Sequence, residues 1–470
     1  MERKYIVNIV CAGLMMLASC NNGYDEYGWA DPPRPEQSGS SAALGYFVKT
    51  DGTGDGSSWD DAMSPSTFLA KLKGGFDPGA DIYLAAGTYL VGSSVTECLT
   101  FTTGVCLHGG YAPDSKGVNT NISYPSDYET VFSGDLNGNG KADEGDMRLA
   151  DVTTTIPVTF KGITFRGGYI SSTVRGERSG ITVTNGGSVN MEYCKIENCN
   201  NTVASPSHQA GGSAIYISYG DVRMSKCIVR NNMADNRGGA IRLMKSEGHT
   251  SHLYMDDCLI TGNKVSGPFG GAIQVSGTDC PVVMNNCTVA NNSAASGGAG
   301  INSPSPITLA NCTFADNLCT VDGREGHEMR IESNGLVHII NSIFVEHDGK
   351  SSASSPSICV NGGSFAVVSD GYCYYSYAKG KFTSDKTDVK GIGYQQLFGN
   401  GVLADNDGYP QTIALANSAL KTTPLSAVQS FAVKYGVPFQ VSLDQRGMSR
   451  GSSLISPGAF EISTQPINNF

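Results

Sequence analysis

A short motif recurs seven times between residues 158 and 347, and its period constrains the fold more than any other feature. Each copy is an alternating apolar segment that leads into an anchor residue, followed two positions later by an apolar residue and three further on by a turn residue. The anchors are Ile163, Cys194, Cys227, Cys258, Cys287, Cys312 and Ser342. They are separated by 31, 33, 31, 29, 25 and 30 residues. Self-similarity at such a period is typical of repeat architectures.

A second motif runs between these copies at the same period. Its members combine small residues with isoleucine, namely Ser213-Ala214-Ile215, Gly239-Ala240-Ile241, Gly271-Ala272-Ile273, Ala299-Gly300-Ile301 and the degraded Met329-Arg330-Ile331. Short strands separated by turn residues at this period predict a solenoid of stacked β-coils. Leucine-rich or helical repeats are disfavoured, because the apolar residues alternate with a period of two and long helical patterns are lacking.

Stacked coils bring equivalent residues into ladders with a rung spacing of about 4.8 Å. The turn residues Asn232, Asn263, Asn292 and Asn317 predict one such ladder. Asn tolerates the left-handed backbone of a tight bend, and stacked Asn side chains can hydrogen-bond from rung to rung. The Cys anchors predict a second ladder, of small apolar side chains that fill a narrow corner.

The composition fits one elongated solenoid better than the two or three domains that the length suggests. Glycine accounts for 59 of 470 residues, and only 16% of the residues are charged. The glycines have no three-residue period, which excludes collagen. The net charge of −11 argues against nucleic acid as a partner, because an acidic surface repels phosphate. We expect a monomer.

The first 20 residues predict export and lipid attachment. A charged start and an apolar segment too brief to span a bilayer lead into Leu17-Ala18-Ser19-Cys20. This ending resembles the lipobox of bacterial lipoproteins, which implies a signal peptide at 1–19 and lipid on Cys20. The alternative is an ordinary secretory signal with an incidental cysteine.

Residues 20–44 are rich in proline and polar residues, and this predicts an unfolded tether. Within it, Asp25-Glu26 is similar to acidic signals that send some lipoproteins to the cell surface. The lipobox and this signal imply a protein anchored to the outer membrane through its N-terminal lipid only and facing the cell exterior.

The two motifs also carry a family resemblance. The Gly-Gly-Ala-Ile copies and Phe314-Ala315-Asp316-Asn317 resemble the GGAI and FxxN repeats of polymorphic outer-membrane proteins. More broadly, the chain is similar to right-handed parallel β-helix proteins of the pectate-lyase-like superfamily. The resemblance implies an all-β fold, a right-handed parallel β-helix over residues 45–463 with a short N-terminal capping helix. It implies an N-terminal cap at 45–90, regular coils at 155–347, irregular C-terminal coils at 348–463 and a tail at 464–470.

Cysteine is abundant, and most of it is expected to remain reduced. In a secreted protein an even number of cysteines suggests disulfides. The ladder cysteines Cys194, Cys227, Cys258, Cys287 and Cys312 would, however, have Cβ atoms about 4.8 Å apart with parallel directions, beyond the usual 3.5–4.5 Å of a disulfide. We expect free, buried thiols there. A bridge between Cys98 and Cys106 stays open, because neither spacing nor context decides it.

The segment 135–146 has the spacing of an EF-hand-type calcium loop. Oxygen-bearing side chains occupy loop positions 1, 3, 5, 9 and 12, and glycine stands at position 6, where the turn is sharp. The predicted ligands are Asp135, Asn137, Asn139, the Lys141 carbonyl, Asp143 and Asp146. The loop is similar to dockerin-type repeats, which also end in Asp, and it implies a structural Ca²⁺. The alternative is a polar, glycine-rich insertion without metal. No other cofactor is predicted.

The residues that follow the isoleucine of each second motif are expected to point outward as one stripe. They are Tyr216, Arg242, Gln274, Asn302 and Arg330. An aromatic ring, arginines and amides are sugar-binding groups, whereas no carboxylate pair for glycoside hydrolysis occupies matching positions. An ordinary solvated sheet face is the alternative. The sequence thus favours a non-catalytic surface protein that adheres to extracellular glycans or to a host or matrix surface. The second hypothesis is a polysaccharide lyase or glycoside hydrolase of the same fold.

Overall fold

The structure is a computed structural model that describes residues 45–117, 119–171, 178–202, 211–246, 248–321, 325–332, 336–347, 352–361, 366–420, 422–451 and 453–462. The predicted signal peptide 1–19, Cys20, the tether up to residue 44 and the tail 464–470 lie outside these residues. No helix within the described ranges is long and apolar enough to cross a membrane.

Parallel strands stack coil upon coil into three long sheets and one short sheet. We name the long sheets A, B and C and the short sheet D, in the order in which the chain passes through them in each coil. Sheets A and B are joined, because the strands Ile181–Glu192 and Ile215–Ser225 run through both. The other strands of sheet A are Leu99–Phe101, Ala150–Val152, Ile241–Met244, Ile273–Val275, Ile301–Ser303, Met329–Glu332, Ile358–Asn361 and Ala378–Lys379. The other strands of sheet B are Gly45–Val48, Asp81–Ala85, Cys106–Tyr111, Val158–Lys161, His252–Asp256, Val282–Asn285, Ile307–Ala310, Leu336–Ile340, Ala366–Ser369 and Phe382–Thr383.

Sheets C and D complete each coil after the anchor residue. Sheet C comprises Gly87–Leu90, Thr130–Ser133, Ile163–Arg166, Lys195–Glu197, Ile228–Arg230, Leu259–Thr261, Thr288–Ala290, Thr313–Ala315, Ile343–Val345, Tyr374–Tyr375 and Val389–Lys390. Sheet D comprises Tyr169–Ile170, Asn200–Asn201, Met233–Ala234, Lys264–Val265, Ser293–Ala294 and Leu318–Cys319. The regular coils therefore contain four strands each, one more than the motifs alone suggest, because the two-residue strands of sheet D form at the turn.

The registers confirm the ladders that the repeats predict. Ile215, Ile241, Ile273 and Ile301 are paired from one coil to the next in sheet A. Their side chains are at most 1% exposed and belong to one apolar core that runs the length of the coils. Burial of this continuous interior stabilises the stack, because no single coil could cover its own apolar face.

The Asn ladder is present, with one difference in its backbone. Asn232, Asn263 and Asn292 each donate from Nδ2 to the Oδ1 of the next Asn at 2.8–3.0 Å. The left-handed backbone lies one residue earlier, for example at Asn231 and Asn291, with φ of 55° and 59°. The inward residue is thus Asn because its amide pairs along the ladder, whereas the preceding residue supplies the bend.

A short helix covers the first coils, as the resemblance implies. It spans Pro65–Gly74, and the hydroxyl of Ser64 caps its N-terminus by accepting from the Thr67 amide at 3.1 Å. Proline at the first helical position suits this start, since its missing N–H has no partner there. Phe68 and Leu72 face inward and join the apolar core.

The C-terminal part differs from the expected irregular coils at 348–463. Solenoid strands continue only to Lys390, and the described chain after it folds back along the outside of the coils. It contains helices Tyr394–Phe398 and Leu425–Tyr435, a 3-10 turn Ser418–Leu420, and two antiparallel pairs, Leu403–Ala404 with Thr412–Ile413 and Thr423–Pro424 with Leu454–Ile455. These elements bury apolar residues on the outer faces of sheets B and C, which is why their sequence lacks the repeat period.

Arg450 fixes this returning segment to the coils. The fully buried guanidinium donates from Nη2 to Asn286 Oδ1 at 3.0 Å and to the Gly458 carbonyl at 2.8 Å. Glu461 lies 3.5 Å from Nη1. A buried cation is tolerated here because it is both paired and hydrogen-bonded.

Candidate functional site

The stripe predicted on sheet A forms a ladder, but it does not face solvent. Tyr216, Arg242, Gln274, Asn302 and Arg330 pair in register on successive strands. The first four are at most 6% exposed, and only Arg330 is partly exposed. The expectation of an open sugar-binding stripe is therefore wrong for the first four residues.

Glycines in the preceding turn explain this burial. The turn of each coil folds over the ladder, with Gly238 and Gly270 in left-handed conformations. A Cβ built on Gly270 would lie 2.6 Å from the Cβ of Gln274, and one on Gly238 would lie 3.0 Å from the Cβ of Arg242. The first glycine of the repeat is thus required by a close approach that hides the stripe.

The outer face of sheet B carries the partly exposed polar cluster. We call Asp221, Arg223, His252 and Tyr254 the open face, since all four side chains are partly exposed. They come from two adjacent strands, in which Asp221 pairs with His252 and Arg223 with Tyr254. Alternation places all four on the outside, because Val222, Leu253 and the methionines between and beside them fill the core.

Specific contacts hold the open face together. His252 Nδ1 lies 2.5 Å from Asp221 Oδ1, and the two side chains are 31% and 32% exposed. The Arg223 guanidinium carbon lies 4.2 Å from the centre of the Tyr254 ring, a cation–π distance. The neighbouring Tyr219 stacks on His249 with ring centres 3.9 Å apart. The cluster therefore offers flat rings beside a carboxylate, an imidazole and a guanidinium.

The described part of the returning C-terminal segment leaves Asp221, Arg223 and His252 partly exposed. Farther along the same face, helix Leu425–Tyr435 packs on Ala310 and Ile340, and Tyr435 stacks on His338 with ring centres 3.9 Å apart. Tyr254 lies at the edge of the area that the C-terminal segment covers. Its side chain packs against the apolar cluster that contains this helix, and it remains partly exposed. The helix thus forms one wall beside the open face.

Sequence reasoning missed the open face, although a signal for it exists. Asp221 and His252 both lie six residues before their anchors, Cys227 and Cys258. Residues at equal offsets from consecutive anchors share a ladder position. The pairing could therefore have been found by aligning the coils on their anchors.

Past the open face, the end of strand His252–Asp256 and the turn after it carry two buried carboxylates. Asp256 and Asp257 are 1% exposed. Asn285 donates to Asp256 Oδ1 at 2.8 Å and Asn286 donates to Asp257 Oδ1 at 3.0 Å. Burial raises the pKa of Asp256 to about 8. These groups are part of the corner packing.

In the predicted calcium loop, backbone amides of the loop donate hydrogen bonds to the loop's own carboxylates. Asp135 accepts from the Asn139 and Gly140 amides at 3.1 and 2.8 Å. Asp146, which is 4% exposed, accepts from the Leu136 and Asp143 amides at 3.0 Å. Asn137 and Asn139 instead donate to Asp143.

Through the described ranges, no group of three or more His, Cys, Asp and Glu side chains is placed to hold a metal ion. The inward carboxylates and Asn oxygens are of the type that Ca²⁺ prefers. Calcium at Asp135, Asn137, Asn139, Lys141, Asp143 and Asp146 stays a prediction.

The Cys ladder consists of free, buried thiols, as predicted. Cys227, Cys258 and Cys287 each donate to the carbonyl two residues earlier at 3.1 Å. Burial raises the pKa of Cys227 and Cys287, so these thiols stay protonated. Cys98 is also a free thiol, which rules out its bridge to Cys106.

A family model and a solved structure are similar to this chain. A family model described as "Right handed beta helix region" matches residues 154–280. The crystal structure of pectate lyase Pel9A aligns with 90% of this chain and 98% of its own, with a TM-score of 0.48 and 15% identity. No curated protein matches the sequence. The family match and the stacked parallel sheets together show that the chain folds as a right-handed parallel β-helix.

Proposed function

We propose that this protein binds extracellular glycans without cleaving them, and that the open face is the binding surface. The observation that carries the proposal is the juxtaposition of Tyr254, Arg223 and the Asp221–His252 pair on a partly exposed sheet face. Sugar rings stack on aromatic rings through their C–H faces, while their hydroxyls bond to charged and amide groups. Binding sites commonly combine apolar surface with a few polar groups that fix orientation.

Anchoring and location complete the proposal. Lipid on Cys20 would tether the β-helix to the outer membrane, with residues 20–44 as the spacer and the binding face turned to the cell exterior. The rod then serves adhesion to a glycan-coated host or matrix surface. The support is the sequence Leu17-Ala18-Ser19-Cys20 and the net charge of −11, since a charge of this size favours solubility and opposes self-association.

A glycan array on the chain from Asn21 onward, which lacks the lipid-bearing Cys20, tests binding. We expect a restricted set of ligands whose capture falls about tenfold in His252→Ala, because removing a hydrogen-bonded charged partner costs about 1.5 kcal/mol or more. His347→Ala is the matched control, since His347 also pairs with an aspartate, Asp316, but lies elsewhere. Absence of binding to every glycan and matrix component would contradict the proposal.

The alternative is catalysis, as a polysaccharide lyase or glycoside hydrolase. The Asp221–His252 contact favours it, because a carboxylate that orients an imidazole is a common arrangement for proton transfer. Arg223 would neutralise a uronate. A lyase fits better than a hydrolase, since Asp221 is the one carboxylate in the open face and hydrolases use two. Release of unsaturated products from polyuronates, abolished in His252→Ala, would support the lyase. No product from a panel of acidic and neutral glycans would exclude it.

A further inference from the structure

Two arginines from different coils meet on one aromatic ring at the turn beside sheet A. The Arg237 guanidinium carbon lies 5.4 Å from the centre of the Phe269 ring, and that of Arg330 lies 4.5 Å from the same centre. All three residues are partly exposed. We call this group the arginine clamp.

The fold makes the clamp possible through one glycine. Arg237, Phe269, Gly297 and Glu325 are bridged in register along the turns. Arg330 passes over Gly297 to reach Phe269, since a Cβ on Gly297 would lie 2.7 Å from Arg330 Cδ. A side chain at that position would block the path.

The charges around the clamp are unbalanced toward positive. No hydrogen bond or ion pair engages Arg237 in the part of the chain that the structure describes, and its Nε is buried without a hydrogen-bond partner. Arg330 pairs with Glu332 at 3.1 Å, and Glu325 pairs with Lys379. Behind the clamp, burial and the nearby Arg178 and Arg237 lower the pKa of Arg242 to about 10. The chain as a whole has a net charge of −11, so this cluster of arginines is a local region of positive charge. A bound anion would neutralise it.

We propose that the arginine clamp binds an oxyanion, the sulfate ester or carboxylate of an acidic glycan. Guanidinium groups match the geometry of these anions with paired N–H donors, and the Phe269 ring holds the two guanidinium groups close to each other. This inference rests on the proposed glycan binding and adds to it a class of ligand and a second contact. The two surfaces are connected through one strand, Ile215–Ser225. It contains Tyr216, which belongs to the same ladder as Arg330, and Asp221, which belongs to the open face.

Binding of the chain from Asn21 onward to immobilised dextran sulfate, polygalacturonate and neutral dextran tests the clamp. We expect the wild type to bind at least one acidic polymer and Arg237→Gln to bind it about tenfold more weakly. The polymer that responds identifies the anion as sulfate or carboxylate. Arg166→Gln is the matched control, because Arg166 is already paired with Glu129 and Glu197. The affinity of this variant for the acidic polymer should differ from that of the wild type by less than about twofold.

Equal losses in Arg237→Gln and Arg166→Gln, or no loss in either, would overturn the clamp. If Arg237→Gln does not fold, Arg237→Lys keeps the charge without the planar fork and should weaken binding about threefold. Loss in His252→Ala but not in Arg237→Gln, or binding to neutral glycans alone, overturns the clamp and leaves the proposed function intact. Failure to bind any glycan overturns both.

Discussion

His252 Nδ1 lies 2.5 Å from Asp221 Oδ1, and the two residues occupy the same register position on adjacent strands of sheet B. Thirty-one residues separate them, the same interval that separates their anchors Cys227 and Cys258. One coil thus lies directly on the next, and two polar groups from distant sequence positions become one feature of the surface.

The Asn ladder should contribute measurably to stability. Asn263 accepts from the Asn232 side chain and donates to Val229 and Asn292, all inside the protein. Asn263→Ala leaves several buried groups without partners, and we expect the free energy of unfolding to fall by about 3 kcal/mol. Urea unfolding measures it, with the exposed Asn121→Ala as control, expected within about 0.5 kcal/mol. Equal stability of both variants would show that the ladder is dispensable.

The ladder thiols should be inaccessible in the native state. Cys194, Cys227, Cys258, Cys287 and Cys312 are fully buried and reduced. Iodoacetamide should leave all five unmodified in native buffer and alkylate all five in denaturant, because only an exposed thiolate reacts. Peptide mass spectrometry reads each site. A mass that requires a disulfide among them would be incompatible with the geometry.

Stability should decline as the pH rises through neutrality, in part because of Asp256. Burial raises the pKa of Asp256 from 3.8 to about 8 in the folded chain. The folded state keeps this proton while the unfolded chain releases it, so the stabilisation is complete below pH 4 and is lost as the pH rises toward 8.

The wild type should therefore lose melting temperature between pH 5 and pH 8, and Asp256→Asn should lose less. The difference between the two losses should be on the order of 5 °C. Asp279→Asn is the control, because Asp279 is exposed and pairs with Lys245, a lysine that stays charged between pH 5 and pH 8. Identical pH profiles for Asp256→Asn and the wild type would contradict the assignment.

Calcium should stabilise the protein through the loop at 135–146. A ligand at 100 times its Kd stabilises by about 2.7 kcal/mol, so millimolar Ca²⁺ should raise the melting temperature by several degrees. Asp135→Ala should abolish the shift, whereas Glu144→Ala should keep it, because Glu144 is exposed and outside the predicted ligand set. No shift in the wild type would remove calcium from the account.

The repeat period predicts the features that arise from stacking equivalent residues. It does not predict features that depend on segments outside the repeated strands. Asn263 and Cys258 were placed correctly, because stacking alone decides their neighbours. Gln274 was expected in solvent but is buried, because the glycine turn before it folds over the strand. Arg450 lies outside the repeats, and its contact with Asn286 depends on a long return of the chain that no repeat encodes.

The affinity of the strongest ligand from the glycan array, measured for the wild type, His252→Ala and His347→Ala, tests the central claim most directly. The open face predicts that Kd rises about tenfold for His252→Ala and stays within about twofold for His347→Ala, with all three proteins equally folded. Unchanged affinity in His252→Ala would contradict the claim and move the binding surface away from sheet B.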